Sequence, residues 1–242
     1  EEQPHVAHEH PVVHPHVVAI HTVNPDGKLP YIVMPFIAGD SLQNRLDRQG
    51  PLDLKEILRI GLQTAQGLAA AHAQGLVHRD IKPANILLEN GVDRVMLTDF
   101  GLARAMDDAS VTRSTVIAGT PQFMSPEQAR GEAIDYRTDL FSLGCVLYAM
   151  CVGYPPFRSD TMLGVLRRVS EESPRPIRQL NADIPAWLDA IIERLLAKSA
   201  ARRFQSAAEV AELLEKCLAH VQQPTVTPLP HIPGTVQVGS TQ

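Results

Sequence analysis

One eight-residue polar segment constrains this chain more than any other feature. The segment, His78–Asn85, holds a histidine, an arginine, an aspartate, a lysine and an asparagine, and an apolar run begins directly after it. Two shorter segments follow in the order Asp99-Phe100-Gly101 and Ser125-Pro126-Glu127. Polar clusters between apolar runs are typical of turns that join buried elements. We therefore predict short strands with turns from Leu76 to Thr98, a stretch that contains the first segment and ends directly before the second.

The spacing of apolar residues predicts a chain made mainly of helices. Asp53 and Glu56 form a start like a capping box, and apolar residues then recur at helical spacing until Gly75. In the second half of the chain the same spacing predicts helices over residues 139–151, 161–169, 185–197 and 206–219. Two β-branched runs, 17–23 and 29–34, flank an Asn-Pro-Asp-Gly turn sequence and predict a hairpin. The predicted fold class is α+β, dominated by helices.

Composition argues against several classes of partner. The chain has 22 basic and 27 acidic residues and no basic run, so nucleic acid is not an expected partner. Three cysteines, Cys145, Cys151 and Cys217, lack the spacing of a zinc site and are too few for a disulfide framework, which favours a reducing cytoplasm. The longest apolar stretch, Phe141–Val152, is shorter than the roughly 20 residues that a membrane-spanning helix needs. No membrane span is therefore predicted in this chain.

In their order and spacing, the three polar segments resemble the catalytic loop, the metal-binding Asp-Phe-Gly sequence and the Ala-Pro-Glu element of protein kinases. The chain is most similar to bacterial receptor-like serine/threonine protein kinases, which share Ser-Pro-Glu-Gln-Ala and the run from Lys198 to Ser206. The resemblance covers roughly His14 to Leu218. It implies a kinase-like α+β fold, mostly the helical carboxy-terminal lobe, with the hinge and the last strands of an incomplete amino-terminal lobe.

The resemblance also implies a division of the chain. Residues 1–34 are expected to be the remnant of the amino-terminal lobe, with the end of the family's helix C and its strands 4 and 5. Residues 35–220 would form the hinge and the carboxy-terminal lobe, and residues 221–242 a flexible tail rich in proline and threonine. In that family such a tail often leads to a membrane helix. We therefore expect a cytoplasmic kinase domain whose parent protein is anchored beyond the tail.

The polar residues suit phosphoryl transfer, in which a protein mainly positions reactants and stabilises charge. The resemblance implies that Asp80 orients or deprotonates the substrate hydroxyl, and that Lys82 neutralises charge on the γ-phosphate. It implies that Asn85 and Asp99 bind Mg²⁺, which prefers oxygen ligands. For the two aspartates the alternative is a turn-forming carboxylate, and for Lys82 a solvated surface lysine. The ordered segments favour the catalytic interpretation, with ATP and Mg²⁺ as cofactors.

Four further residues match the adenine site of the family. Met34 resembles the gatekeeper, the Pro35 carbonyl and the Ile37 amide would meet the adenine edge, and Leu87 would lie beneath the ring. Most relatives carry glutamate where Pro35 stands, but the contact uses a carbonyl, which proline retains. For Met34 and Leu87, ordinary core packing is an equally good interpretation of the side chains.

Three charged residues match structural positions of the family. Asp139 resembles a buried aspartate at a helix start that holds the amides of the catalytic loop, and an N-cap role coincides with that interpretation. Glu127 and Arg203 resemble a buried ion pair that anchors the end of the activation segment.

Other residues bear on substrate class and regulation. Lys82 and Thr120 are similar to residues of serine/threonine kinases at two places where tyrosine kinases differ. Arg79 resembles the arginine that pairs with a phosphorylated activation segment. The candidate phosphorylation sites in that segment are Thr112, Ser114 and Thr115, and the alternative is that they are ordinary loop residues.

The sequence contains no Gly-rich strand-turn-strand and no strand lysine of the kind that grips ATP phosphates in protein kinases. We therefore expect weak or no activity from this chain alone, either as a truncated active enzyme or as a pseudokinase. The retained Asp80, Lys82, Asn85 and Asp99 favour truncation. Six histidines between His5 and His21 suggest zinc, but no further ligand completes a tetrahedral site, so this interpretation is not favoured.

The leading hypothesis is a serine/threonine protein kinase that transfers the γ-phosphate of ATP to protein hydroxyls. Its expected partners are protein substrates carrying serine or threonine and a second copy of itself for autophosphorylation. The rival hypothesis is a scaffold that binds a protein partner through the helical lobe. A small-molecule phosphotransferase is disfavoured because the segment 119–127 resembles one that seats a polypeptide.

Overall fold

The computed structural model of the chain describes residues 12–24, 31–89, 94–100 and 121–232. Five short strands lie in two antiparallel sheets, and seven α-helices surround a single large core within these residues. The strands are β1 (Thr22–Asn24), β2 (Tyr31–Val33), β3 (Gly39–Ser41), β4 (Ile86–Glu89) and β5 (Arg94–Leu97). The helices are α1 (Leu42–Gln49), α2 (Leu54–His72), α3 (Pro126–Arg130), α4 (Arg137–Val152), α5 (Met162–Glu171), α6 (Ala186–Leu195) and α7 (Ala207–Gln222).

The strands form a hairpin and a three-stranded sheet. β1 pairs with β2 so that Val23 lies opposite Ile32, which confirms the predicted hairpin. In the second sheet β4 lies between β3 and β5. The predicted first strand of the hairpin is longer than the observed one because residues 17 and 18 pair elsewhere. The amide of Val18 donates to the carbonyl of Leu97 at 2.8 Å, so this part of the chain runs beside β5.

Helix α4 forms the centre of the helical core. It is apolar on nearly all sides, as is typical of a helix that is buried all round, and its residues from Thr138 to Cys151 are buried. Helix α2 begins at its cap Asp53, whose carboxylate accepts from the amide of Glu56 at 2.9 Å. A Cβ at Gly61 would lie 2.7 Å from a Leu147 methyl carbon and 3.3 Å from one of Leu214. Gly61 therefore allows α2 to pack closely against α4 and α7.

The five helices predicted from apolar spacing are all present, but the end of the described chain differs from the prediction. A flexible tail was expected from residue 221. Instead, Val221 and Gln222 complete α7, and the ring Nδ1 of His220 lies 2.7 Å from the carbonyl oxygen of Thr227. Ile232 is then buried in the main core with 2% of its surface exposed. Within residues 221–232 the structure thus shows the end of a helix, a turn and one buried apolar side chain where a flexible tail was expected.

The three cysteines are buried free thiols. Burial raises the pKa of Cys145, of Cys151 and of Cys217, so they stay protonated and unreactive at neutral pH. Of the helices that the structure describes, none has the length and apolar character needed to cross a bilayer.

Candidate active site

Asp139 holds the predicted catalytic loop from the side of α4. Its carboxylate is fully buried and accepts from the backbone amides of His78 and Arg79, each at 2.8 Å. The ring Nε2 of His72 lies 2.8 Å from the same carboxylate. The helix itself begins at Arg137 after Tyr136, so Asp139 does not act as its N-cap. The contact with the loop and the N-cap role, which were expected to coincide, are therefore separate, and only the loop contact is present.

Two residues at the site have backbone conformations that are unfavourable for residues other than glycine. Arg79 has φ of 67° and Asp99 has φ of 64°, both in the left-handed region that costs a non-glycine residue about 1 kcal/mol or more. For Arg79 the hydrogen bond from its amide to the buried Asp139 carboxylate offsets this cost. Arg79 directly precedes Asp80. The hydrogen bond to Asp139 therefore also steadies the backbone beside the residue that is expected to meet the substrate.

His78 joins the catalytic loop to the Asp-Phe-Gly segment. Only 1% of its surface is exposed, and its ring Nε2 lies 2.9 Å from the carbonyl oxygen of Thr98. Its ring centre lies 4.4 Å from that of Phe100. These contacts fix the loop relative to Asp99, which stands between the two contacted residues. His78 was not among the predicted site residues, although it begins the polar segment.

Asp80, Lys82 and Asn85 come together in one cluster. The Nζ of Lys82 lies 2.6 Å from Oδ2 of Asp80. The side-chain amide of Asn85 donates to the same oxygen at 3.1 Å and to the Asp80 carbonyl at 2.9 Å. A short 3₁₀ turn, Pro83–Asn85, brings the asparagine back toward the aspartate. Oδ1 of Asp80 makes no hydrogen bond to any described residue, and the Asp80 side chain is 39% exposed.

Asp99 lies beside this cluster. The amide of Thr98 donates to the carbonyl of Asn85 at 3.1 Å, which places Asn85 and Asp99 on adjacent segments. The Asn85 amide nitrogen is occupied by Asp80, whereas its Oδ1 makes no hydrogen bond among the described residues. An asparagine oxygen and a carboxylate suit Mg²⁺, which commonly takes few protein ligands and completes its shell with water and phosphate oxygens. In the described ranges no group of three or more His, Cys, Asp or Glu residues could hold a metal.

Three of the predicted adenine-site residues follow β2 along the chain, and the fourth lies in β4. Met34 follows β2, has 38% of its surface exposed, and its sulfur accepts from the hydroxyl of Thr98 at 3.7 Å. Leu87 lies in β4 and is half-buried between the fully buried Ile86 and the nearly buried Leu88. Pro35 and Ile37 are also half-buried. Met34 and Leu87 are thus both partly exposed, and their role at an adenine site stays a prediction.

Glu127 and Arg203 form a buried ion pair with two contacts. Nη1 of Arg203 lies 2.7 Å from one carboxylate oxygen of Glu127, and Nη2 lies 2.8 Å from the other. Arg203 is fully buried and also donates to the carbonyls of Arg137 and Ala197. Burial alone would raise the pKa of Glu127, but the hydrogen bonds and charge of Arg203 outweigh it and hold that pKa below its usual range. The pair ties α3 to the start of α4 and to the turn after α6.

Several predicted residues lie outside the described part of the chain. These are Thr112, Ser114 and Thr115, expected as phosphorylation sites, and Thr120, expected to position the substrate. Arg79 is described, and its backbone contacts with Asp139 and Gln128 belong to the site.

Replacing Asp139 by alanine is expected to lower the free energy of unfolding by about 3 kcal/mol, because two loop amides would lose their acceptor in a buried place. Urea unfolding followed by circular dichroism measures this change. Asp160→Ala, at an exposed aspartate, is the control and should change the free energy of unfolding by less than about 0.5 kcal/mol. Equal stability of Asp139→Ala and the unmodified chain would contradict the anchoring role.

A buried aspartate thus holds an Arg-Asp loop beside an Asp-Phe segment, which is an arrangement suited to phosphoryl transfer. The protein kinase domain model matches residues 5–227, and the chain therefore belongs to the protein kinase family. The family and the kinase-like α+β fold predicted from the sequence are confirmed.

Curated relatives agree with this assignment. Serine/threonine-protein kinase PknB of Mycolicibacterium smegmatis is 41% identical over 203 residues, which cover 81% of this chain and 32% of that protein. PknB of Mycobacterium tuberculosis H37Rv is 40% identical with the same coverage. A probable serine/threonine-protein kinase of Clostridium acetobutylicum is 36% identical over 84% of this chain and 31% of its own length. The chain spans about a third of the length of these relatives.

Proposed function

We propose that this chain is the catalytic part of a serine/threonine protein kinase, which transfers the γ-phosphate of ATP to hydroxyl groups of proteins. The observation that carries this proposal is the cluster of Asp80, Lys82 and Asn85, joined to the Asp99 segment by the hydrogen bond between Thr98 and Asn85. Membership of the kinase family and the names of the relatives support the same activity.

Asp80 is the residue that meets the substrate hydroxyl. Its Oδ2 is engaged by Lys82 and Asn85, which leaves Oδ1 to accept a hydrogen bond from the serine or threonine. As the hydroxyl oxygen forms its bond to the γ-phosphorus, its proton passes to Asp80 and the bond to the leaving ADP oxygen breaks. The contacts to Oδ2 fix the direction of the carboxylate, so little reorganisation is needed during transfer.

Lys82, Asn85 and Asp99 supply the charge that phosphate requires. Lys82 pairs with Asp80 in this structure, and its flexible stem allows Nζ to contact a γ-phosphate oxygen once nucleotide is bound. Oδ1 of Asn85 and the carboxylate of Asp99 would hold Mg²⁺. Bound Mg²⁺ neutralises charge that develops on the phosphates.

The adenine base would lie between Met34 and Leu87, whose partial exposure leaves apolar surface for the ring. The Pro35 carbonyl and the Ile37 amide would contact its edge.

Lys82 and Thr120 support serine and threonine as acceptors. We further propose that phosphorylation at Thr112, Ser114 or Thr115, by a second copy of the protein, regulates the site through Arg79. The kinase would act in the cytoplasm on protein substrates.

The proposal is tested by incubating the full product of the gene, and this chain beside it, with Mg²⁺ and ATP labelled at the γ-phosphate. We expect label on serine and threonine of the protein itself and of an added protein substrate, and loss of transfer when EDTA removes Mg²⁺. Label on tyrosine alone would overturn the substrate class. If the full product neither binds ATP nor transfers phosphate, the kinase proposal fails and the scaffold hypothesis takes its place.

A further inference from the structure

Gln128 connects the Ser-Pro-Glu segment to the catalytic loop. It is the third residue of α3, and its side-chain nitrogen donates to the carbonyl oxygen of Arg79 at 2.8 Å. Its side-chain oxygen accepts from the amide of Ser125 at 3.0 Å, and its own amide donates to the Ser125 hydroxyl at 3.3 Å. One side chain thus completes the cap of α3 and reaches a loop 49 positions earlier in the sequence.

Only one orientation of the Gln128 amide satisfies both neighbours. The Ser125 amide is a donor and needs the oxygen, whereas the Arg79 carbonyl is an acceptor and needs the nitrogen. The backbone of Arg79 is therefore held on two sides, with its N–H bonded to Asp139 and its C=O bonded to Gln128. This is the residue with φ of 67°, which requires such support.

We propose that Gln128 is a positioning residue for phosphoryl transfer. The Arg79 carbonyl belongs to the peptide unit that also contains the nitrogen of Asp80. The hydrogen bond from Gln128 therefore fixes the orientation of this peptide unit and, through it, the orientation of Asp80. Gln128 touches no reacting atom and acts through Asp80. The inference rests on the proposed kinase activity and adds a residue that ties the end of the activation segment to the catalytic aspartate.

The variant Gln128→Glu keeps the contact to Ser125 and removes the contact to Arg79. A glutamate at this position still accepts from the Ser125 amide, as in the usual capping box, so α3 keeps its cap. The donor to Arg79 is replaced by a carboxylate oxygen that faces a carbonyl oxygen. In the full product we expect kcat to fall about tenfold, the scale of one lost hydrogen bond, while KM for ATP stays within about twofold. We also expect amide hydrogen exchange at Arg79 and Asp80 to become about tenfold faster in this chain.

Ser125→Ala is the complementary variant, because it weakens the cap of α3 but leaves the Gln128 contact to Arg79. We expect it to lower Tm without faster exchange at Asp80. Gln179→Glu makes the same charge change at an exposed position and should change neither exchange nor kcat. If Gln128→Glu does not fold, Gln128→Met, which is uncharged and of similar length but removes both contacts, is compared with Ser125→Ala, which weakens only the cap.

The outcomes separate the two proposals. If Gln128→Glu exchanges at Arg79 and Asp80 as slowly as the unmodified chain and retains its kcat, the positioning role is wrong. Equal effects of Gln128→Glu and Gln179→Glu would show a general charge effect and would also overturn it. If the unmodified full product transfers no phosphate, the kinase proposal fails, and the exchange rates, which need no activity, still decide whether Gln128 holds the loop.

Discussion

Asp80→Asn is expected to reduce phosphoryl transfer by about 10²- to 10⁴-fold, the range associated with loss of a general base. Asparagine has the same shape and keeps an oxygen that can accept from Lys82, but it carries no negative charge and takes no proton from the substrate hydroxyl. Because the Asp80 side chain is 39% exposed, the change should have little effect on stability. The measurement is kcat of the full product with a protein substrate, together with an ATP titration.

Asp183→Asn is the matched control, since this aspartate is exposed and far along the chain from the loop. It should leave kcat, ATP affinity and stability unchanged. If Asp80→Asn retained kcat within about twofold of the unmodified protein, Asp80 would not be the general base that the mechanism requires. A loss of ATP binding equal to the loss of kcat would instead place Asp80 in nucleotide binding.

Arg203→Met is expected to lower the free energy of unfolding by about 3–5 kcal/mol. Methionine fills much of the volume, but the variant leaves the Glu127 carboxylate without its cation, and the carbonyls of Arg137 and Ala197 lose a donor. This cost exceeds that of any surface pair in the chain because Arg203 is fully buried. Urea unfolding at neutral pH gives the value directly.

The double variant Glu127→Leu/Arg203→Met tests the cause of that loss. Removing both charges should cost less than removing Arg203 alone, because no unpaired carboxylate remains buried. The pH dependence gives a second test. The lowered pKa of Glu127 means that its contribution to stability is present above its ordinary pKa of 4.5 and is lost as the pH falls through the lower folded value. Arg203→Met should flatten this loss in acid, and an unchanged acid profile would contradict the pair's role.

The sequence predicted most of the fold because its signals are local. The cap at Asp53 and the helical spacing of apolar residues that follows it lie within one segment, and so do the patterns of the other predicted helices. The sequence did not predict that Val17 and Val18 lie along β5, because that pairing joins segments about 80 positions apart. Ile232 was missed for a different reason. A single apolar residue among prolines shows no period, so its burial depends on the surface that the rest of the chain provides.

At the site, too, residues that are close in the sequence could be predicted and contacts between distant segments could not. Asp80, Lys82 and Asn85 lie within six positions, so a turn was enough to bring them together. Gln128 and His72 contribute through contacts over 49 and 67 positions, which no local pattern reveals. A signal for Gln128 was present in the sequence, since a glutamine three residues after Ser125 predicts a capping box. That pattern indicates the helix cap but not the second bond to the loop.

Because Ile232 is buried, the boundary of the sequence family and the boundary of the folding unit lie at different residues. The matched kinase domain ends at residue 227, but a side chain five positions later fills part of the hydrophobic core. A domain excised or transplanted at the family boundary would lose this residue and the roughly 1.5–3 kcal/mol that burial of an isoleucine provides. The described residues beyond α7, up to Ile232, are therefore part of the packed fold itself.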